Sequence, residues 1–308
     1  MKWNRVKSRR VIDVRGASKG SSGRGGRGGS SLPIPGGIAG MGGGAGLIGV
    51  IVLVVINLIG GGGGSDGGFN LPSAFGPATG APGAEDPQPL PRGEDPQADL
   101  KDFSTYVFVD AQRTWKRTLG DEGVAYEPAE LVLYSGSVST NGCGGATSAV
   151  GPFYCPADER VYLDLSFYEE MRRQLGASGD FAWAYVIAHE MGHHVQKVTG
   201  TSDEVARLTS ESPDQANELS VLQELQADCY AGIWASTVYA EGDLEQGDLE
   251  EAFGAAEAVG DDRLQRQATG RINPDSFTHG TSEQRRTWFE RGYSSGAPGD
   301  CDTFASGA

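Results

Sequence analysis

The stretch Ala188-His189-Glu190-Met191-Gly192-His193-His194 decides how this chain is read. A helix turns once every 3.6 residues, so His189 and His193, four apart, project from one face and bring two imidazole nitrogens toward a common point. Two such nitrogens suit a zinc ion. Glu190 follows the first histidine directly and flanks the metal without taking a ligand position, where a carboxylate can remove a proton from water. The same spacing also arises from two surface histidines beside a glutamate. Composition weighs against that reading, because three of the four histidines lie in this stretch and the fourth, His279, sits in a second motif near the end.

Working outward, Asp180, after Ser178-Gly179, is placed to cap a helix from Phe181 to Val198. Gly192 inside that helix costs about 1 kcal/mol relative to alanine, which predicts that another helix or loop approaches closely there. Ser212-Pro213-Asp214-Gln215 opens a second helix with a capping-box pattern and proline at its first position, running to about Glu241. A catalytic zinc needs a third protein ligand, with the fourth position left to water. A histidine six residues after the second, with a glycine midway, is excluded because Thr199 and Gln196 stand at those positions. Glu224, 31 residues beyond His193 in Gln223-Glu224-Leu225-Gln226-Ala227-Asp228, is the expected ligand. Glu218 competes for that place, and a solvated helix glutamate is the plain alternative. Asp228, one turn further, is placed to orient a zinc histidine through its second ring nitrogen.

Upstream, Leu100, Phe103, Tyr106, Val107, Val109 and Trp115 follow a helical stripe that marks the start of the folded domain near Asp99. Glu130 to Tyr134 and Arg160 to Asp164 are rich in β-formers and predict two strands separated by a Gly/Ser-rich loop. That loop holds Cys143 and Cys155. The other cysteines are Cys229 and Cys301, and none forms a close Cys-x-x-Cys pair. Disulfides in an exported domain are therefore expected, Cys143 with Cys155 and Cys229 with Cys301, the second tying the tail to the ligand-bearing helix. Four reduced thiols in a cytosolic enzyme is the alternative.

The net charge is −16, unevenly spread. Residues 1–46 carry nine Lys or Arg against one acid, Asp13, a local charge of +8 that leaves −24 on the remainder. So acidic a body argues against nucleic acid as the main partner, and the basic end reads as a cytoplasmic flank under the positive-inside rule. The apolar run Leu47 to Ile59 is 13 residues long, shorter than the about 20 a bilayer core requires. A span must borrow from Ile38, Ala39 and Met41. A cleaved signal peptide is the rival, but the preceding segment is long and no Ala-x-Ala site follows. The expectation is a cytoplasmic basic tail over residues 1–37, a single transmembrane anchor over 38–59 contacting membrane lipid, a Gly/Pro-rich linker over 60–98 and an extracytoplasmic domain over 99–308.

Four further stretches join the His-Glu-Met-Gly-His-His motif. They are Ala149 to Asp158, Val161 to Leu165, Glu224 to Gly232, and Thr278-His279-Gly280-Thr281-Ser282-Glu283-Gln284-Arg285. Together with Met1-Lys2-Trp3 and the glycine-rich anchor they resemble the bacterial neutral zinc metallopeptidase family over most of the chain. The resemblance implies an α+β fold: a mainly helical, zincin-like metallopeptidase domain with a small β-sheet, preceded by a single transmembrane helix and the Gly/Pro-rich linker. It implies a membrane-anchored, Zn2+-dependent endopeptidase acting on protein or peptide substrates. The two-helix arrangement also resembles the HtpX and CAAX-prenyl protease group, in which a His-Pro motif is followed by arginine; Gly280 stands here in place of that proline.

On this reading His189, His193 and Glu224 hold the metal and Glu190 is the general base. His279 either supplies a second donor to the charge developing on the substrate oxygen or packs near the helix that begins about Thr281. Arg285 holds that loop or a substrate carboxylate. The competing function is a non-catalytic, membrane-tethered binding or scaffold domain with a structural zinc, against which an intact Glu190 argues.

Overall fold

The computed structural model describes residues 1–16 and 89–306. In chain order they form strand β1 (Val11–Asp13), helix α1 (Ala98–Asp121), and strands β2 (Glu130–Tyr134), β3 (Ser137–Ser139), β4 (Gly145–Thr147), β5 (Phe153–Cys155) and β6 (Arg160–Asp164). There follow α2 (Phe167–Glu170), α3 (Asp180–Thr199), α4 (Thr201–Glu211), α5 (Ala216–Glu241), α6 (Asp248–Ala258), α7 (Asp261–Thr269), α8 (Ser282–Ser295) and α9 (Thr303–Ser306). The result is mainly helical with a small sheet, as expected.

The main sheet has the order β1-β2-β6-β5, with β1 and β6 parallel to β2 and β5 antiparallel to β6. Alternation along its strands serves two faces. Leu131, Leu133, Val161 and Leu163 point into the helical core, while Val132, Tyr134 and Tyr162 face a smaller cluster with Phe153 and Cys155. The β3–β4 hairpin belongs to that second lobe, which the Cys143–Cys155 disulfide closes. A sheet covered on both faces explains why its central strands read as continuous apolar runs.

Helix α3 crosses the core between α1 and α5, anchored by three aromatic residues. Trp183 donates from Nε1 to Ser104 Oγ at 2.8 Å, Trp234 donates to Asp110 Oδ2 at 2.9 Å, and Phe181 stacks on Trp234. Gly192 explains its cost in helix stability: a Cβ there would lie 2.9 Å from the Ala227 carbonyl oxygen of α5. The α5–α8 crossing is closer still, and a Cβ on Gly292 would fall 1.9 Å from the Cys229 oxygen. Small residues let backbones meet. The Cys229–Cys301 disulfide then fastens the C-terminal tail to α5.

Two expectations are corrected. No helix among the described residues is long and apolar enough to cross a membrane, so the single-pass helix is not part of the observed fold; residues 38–59 and 60–88 lie outside the described residues. The topology that set the basic N-terminus and the domain on opposite sides of a bilayer is also overturned, because residues 1–16 are built into the domain. β1 extends the sheet beside β2, Val11 pairing with Leu131. The Met1 side chain is buried in the main core, and its ammonium lies within 3.0–3.3 Å of Asp180, Glu245 and Asp248. The physical reason lies in where the positive charge goes: Arg5 donates to Asp102 at 2.5 Å, and Arg15 forks between Asp13 and Asp95 at 2.8 and 2.7 Å. A basic segment that neutralises the acidic body leaves the same composition as a membrane flank.

Candidate metal centre

Helix α3 begins at Asp180 with Gly179 in the cap position, so Asp180 is its first residue and holds the Met1 ammonium where capping was expected. Three turns on, His189 and His193 share the face turned toward α5, with Glu224 opposite. The ligand atoms of His189, His193 and Glu224 lie within 4.8 Å of one another, all in residues buried or nearly so. His189 Nε2 is 3.1 Å from Glu224 Oε2 and His193 Nε2 is 3.3 Å from Glu224 Oε1. Glu218, the competing position, lies outside this cluster.

The donor set fits zinc, because two imidazoles and a carboxylate converge while the second nitrogen of each ring is already engaged. His189 Nδ1 is 2.8 Å from Asp228 Oδ1, and His193 Nδ1 is 2.9 Å from Gln196 Oε1. Each ring thereby presents Nε2 to the centre. Asp228 is itself clamped: Arg285 donates from Nε at 2.8 Å and from Nη2 at 3.0 Å, and Tyr185 OH donates at 2.5 Å. Arg285 is therefore buried behind the ligands, 3.9 Å from Glu224 at its nearest, and is not free to meet a substrate carboxylate.

Charges around the centre set how its histidines and carboxylates hold protons. Burial pushes the His189 and His193 pKa values down, but Asp228 and Glu224 outweigh it for His189, and Glu224 outweighs it for His193, leaving both raised. Burial would raise Glu224, yet the charge of His193 and hydrogen bonds from both imidazoles hold it well below the usual carboxylate range. Asp228 is likewise lowered, by Arg285 and His189 against burial. Glu190 differs: burial raises its pKa, and its carboxylate engages no donor among the described residues.

His279 sits on the loop before α8, held from α7. Asp261 accepts backbone N–H bonds from Thr278, His279 and Gly280 at 2.7, 2.6 and 3.1 Å, and lies 3.3 Å from His279 Nδ1. Ser220 Oγ ties the Thr278 carbonyl to α5 at 2.9 Å. His279 is close enough for its charge to act on Glu224, and its Nε2 is buried without a hydrogen-bond partner among the described residues. His194 turns the other way. It bridges Tyr154 OH at 3.0 Å and the Glu127 carbonyl at 2.7 Å, and burial lowers its pKa to about 4, so it is a neutral tie between α3 and the sheet.

Reading the sequence missed Tyr185, Gln196, Gln226 and Asp261. The first two carried a usable signal, since Tyr185 precedes His189 by four residues and Gln196 follows His193 by three, both on the metal face of one helix.

A family model described as "Putative neutral zinc metallopeptidase" matches residues 1–304. The chain belongs to that family. In Escherichia coli K12 the uncharacterized protein YpfJ is 53% identical over 203 residues, covering 66% of this chain and 70% of its own. In Mycobacterium tuberculosis H37Rv the uncharacterized protein Rv2575 is 46% identical over 209 residues, covering 64% of this chain and 68% of its own. No solved structure matches. Membership in the zinc metallopeptidase family agrees with the chemistry of the His189, His193 and Glu224 donor set.

Proposed function

We propose that this chain hydrolyses peptide bonds in protein or peptide substrates, with a zinc ion held by His189, His193 and Glu224. The observation that carries the reading is Glu190: a buried carboxylate with no hydrogen-bond donor among the described residues, on the helix that supplies both imidazoles and directly after the first of them. A structural site has no use for such a group. When bound, zinc supplies Lewis acidity, which acidifies water and polarises a carbonyl. Glu190 takes the proton of the attacking water and returns it to the leaving amine, a task suited to a carboxyl whose pKa burial raises above its ordinary value. Asp228, locked by Arg285 and Tyr185, holds a proton on His189 Nδ1 and so leaves Nε2 as the nitrogen that would meet the metal. His279, whose charge acts on Glu224 and whose Nε2 has no hydrogen-bond partner among the described residues, is the candidate donor to the oxygen that gains charge.

The test separates base from ligand. Glu190→Gln is expected to abolish hydrolysis of a denatured protein while keeping zinc, and Glu224→Ala to lose zinc and activity together. Loss of zinc from Glu190→Gln, by elemental analysis, would count against the assignment. Stoichiometric zinc in a parent protein that cleaves neither denatured proteins nor a peptide library would make the site structural.

A further inference from the structure

The two metal-facing histidines are held by different means. His189 leans on a carboxylate already paired with arginine, whereas His193 leans on a neutral amide whose orientation is not its own to choose. Gln196 Nε2 lies 2.7 Å from the Gln223 carbonyl and 3.1 Å from Gln226 Oε1. Gln226 Nε2 in turn lies 3.2 Å from the Cys301 carbonyl. Backbone carbonyls only accept, so each must meet an NH2 group. That fixes the direction of the chain: Gln226 donates to Cys301, Gln196 donates to Gln226 and Gln223, and Gln196 Oε1 is left facing His193. The Nδ1 of His193 must then carry a proton, which leaves Nε2 as the nitrogen that faces Glu224 and the metal position.

We infer that Gln196 and Gln226 are positioning residues that set the tautomer and angle of His193, and that the Cys229–Cys301 disulfide controls metal affinity through them. Both amides are buried. Their last acceptor belongs to a tail residue, Cys301, which is held against α5 by its own disulfide and by Thr303 Oγ1 donating to the Leu222 carbonyl at 2.7 Å. Cys229 follows Asp228 directly. The bond therefore joins the end of the Gln226 relay to the helix that supplies Glu224 and the partner of His189.

The inference rests on the metal-centre reading, and the experiment keeps the two apart. Zinc affinity is measured by competition with a chromophoric chelator, on full-length parent and variants, alongside thermal unfolding of the metal-free proteins. Removing the partner of a metal-bound histidine typically costs about 10-fold to 100-fold in metal affinity. Gln196→Met is expected to lose that much. Gln196→Glu, which still accepts from Nδ1, is expected to recover most of it. Gln226→Met is expected to fall between Gln196→Met and the parent. Replacing Cys229 and Cys301 together by alanine is expected to weaken zinc binding in the parent but not further in Gln226→Met, while lowering thermal stability equally in both backgrounds. Unchanged affinity in Gln196→Met, equal losses in its Met and Glu variants, or additive losses for Gln226→Met and the double alanine would each overturn the relay. His193→Ala that binds zinc as the parent does would instead overturn the metal centre itself.

Discussion

At the scale of single residues, His279 has the most exacting role in the proposed reaction. The competing task, capping the helix after it, is already filled: Thr281 Oγ1 accepts from Gln284 N at 3.1 Å while Gln284 Oε1 accepts from Thr281 N at 2.9 Å. Asp261 Oδ1, 3.3 Å from His279 Nδ1, only accepts, so Nδ1 carries a proton, and Nε2, the atom without a partner among the described residues, donates when the ring carries both protons. A buried N–H held ready is what a developing oxyanion requires, and removing one such donor costs about 10²-fold to 10³-fold in turnover. His279→Ala is expected to lower kcat by about that factor with KM and zinc content little changed. An unchanged kcat would reduce His279 to packing, and loss of zinc would make it a ligand.

At the scale of elements, the closeness of helix crossings governs how the ligands meet. Propensity alone says that Gly192→Ala should stabilise α3 by about 1 kcal/mol. The new methyl would instead meet the backbone of α5 at Ala227, which cannot rotate away, and overpacking of this kind costs about 1–3 kcal/mol. Gly292→Ala, whose methyl would overlap the Cys229 oxygen, is expected to be worse still. Chemical denaturation checks both, and a gain in stability for either would refute the close approach. The approach at Gly192 was legible in the sequence because a glycine inside an amphipathic helix needs a reason. The strands Glu130–Tyr134 and Arg160–Asp164 were legible as clusters of β-formers, and both cysteine pairings emerged as expected. Other features left no local mark. Helix α4 is short and polar, with Val205 and Thr209 its only buried residues, so few apolar side chains mark it. Amides such as Gln196 and Gln226 read as solvent-facing until their acceptors, 30 and 75 residues away, come into view.

At the scale of the whole molecule, the first sixteen residues act as a strap across the domain, and its charges make stability depend on pH. β1 was hidden because a three-residue parallel edge strand depends on a partner more than a hundred residues distant. Its anchor is Arg15, buried between Asp13 and Asp95. Burial would raise both carboxyls, but hydrogen bonds and charge from Arg15 outweigh it and hold both below their ordinary values. A depressed folded pKa contributes stability that is fully present above the unfolded value of about 3.9 and is lost as pH falls through the folded one. The Met1 ammonium works in the opposite sense. Burial lowers its pKa, yet Asp180 and Asp248 leave it raised, so its contribution is present below the ordinary value of 8.0 and lost as pH rises through the folded one. Arg15→Met leaves the buried Asp95 without its arginine and Asp13 with Lys101 alone, at a cost of about 3–5 kcal/mol near pH 7. Those carboxyls then gain from protonation, so the deficit against the parent is expected to shrink as the solution is acidified toward pH of about 4. Urea midpoints of parent and variant across that range make the measurement, and a deficit that stays constant or grows on acidification would show that the strap is not held by this ion network.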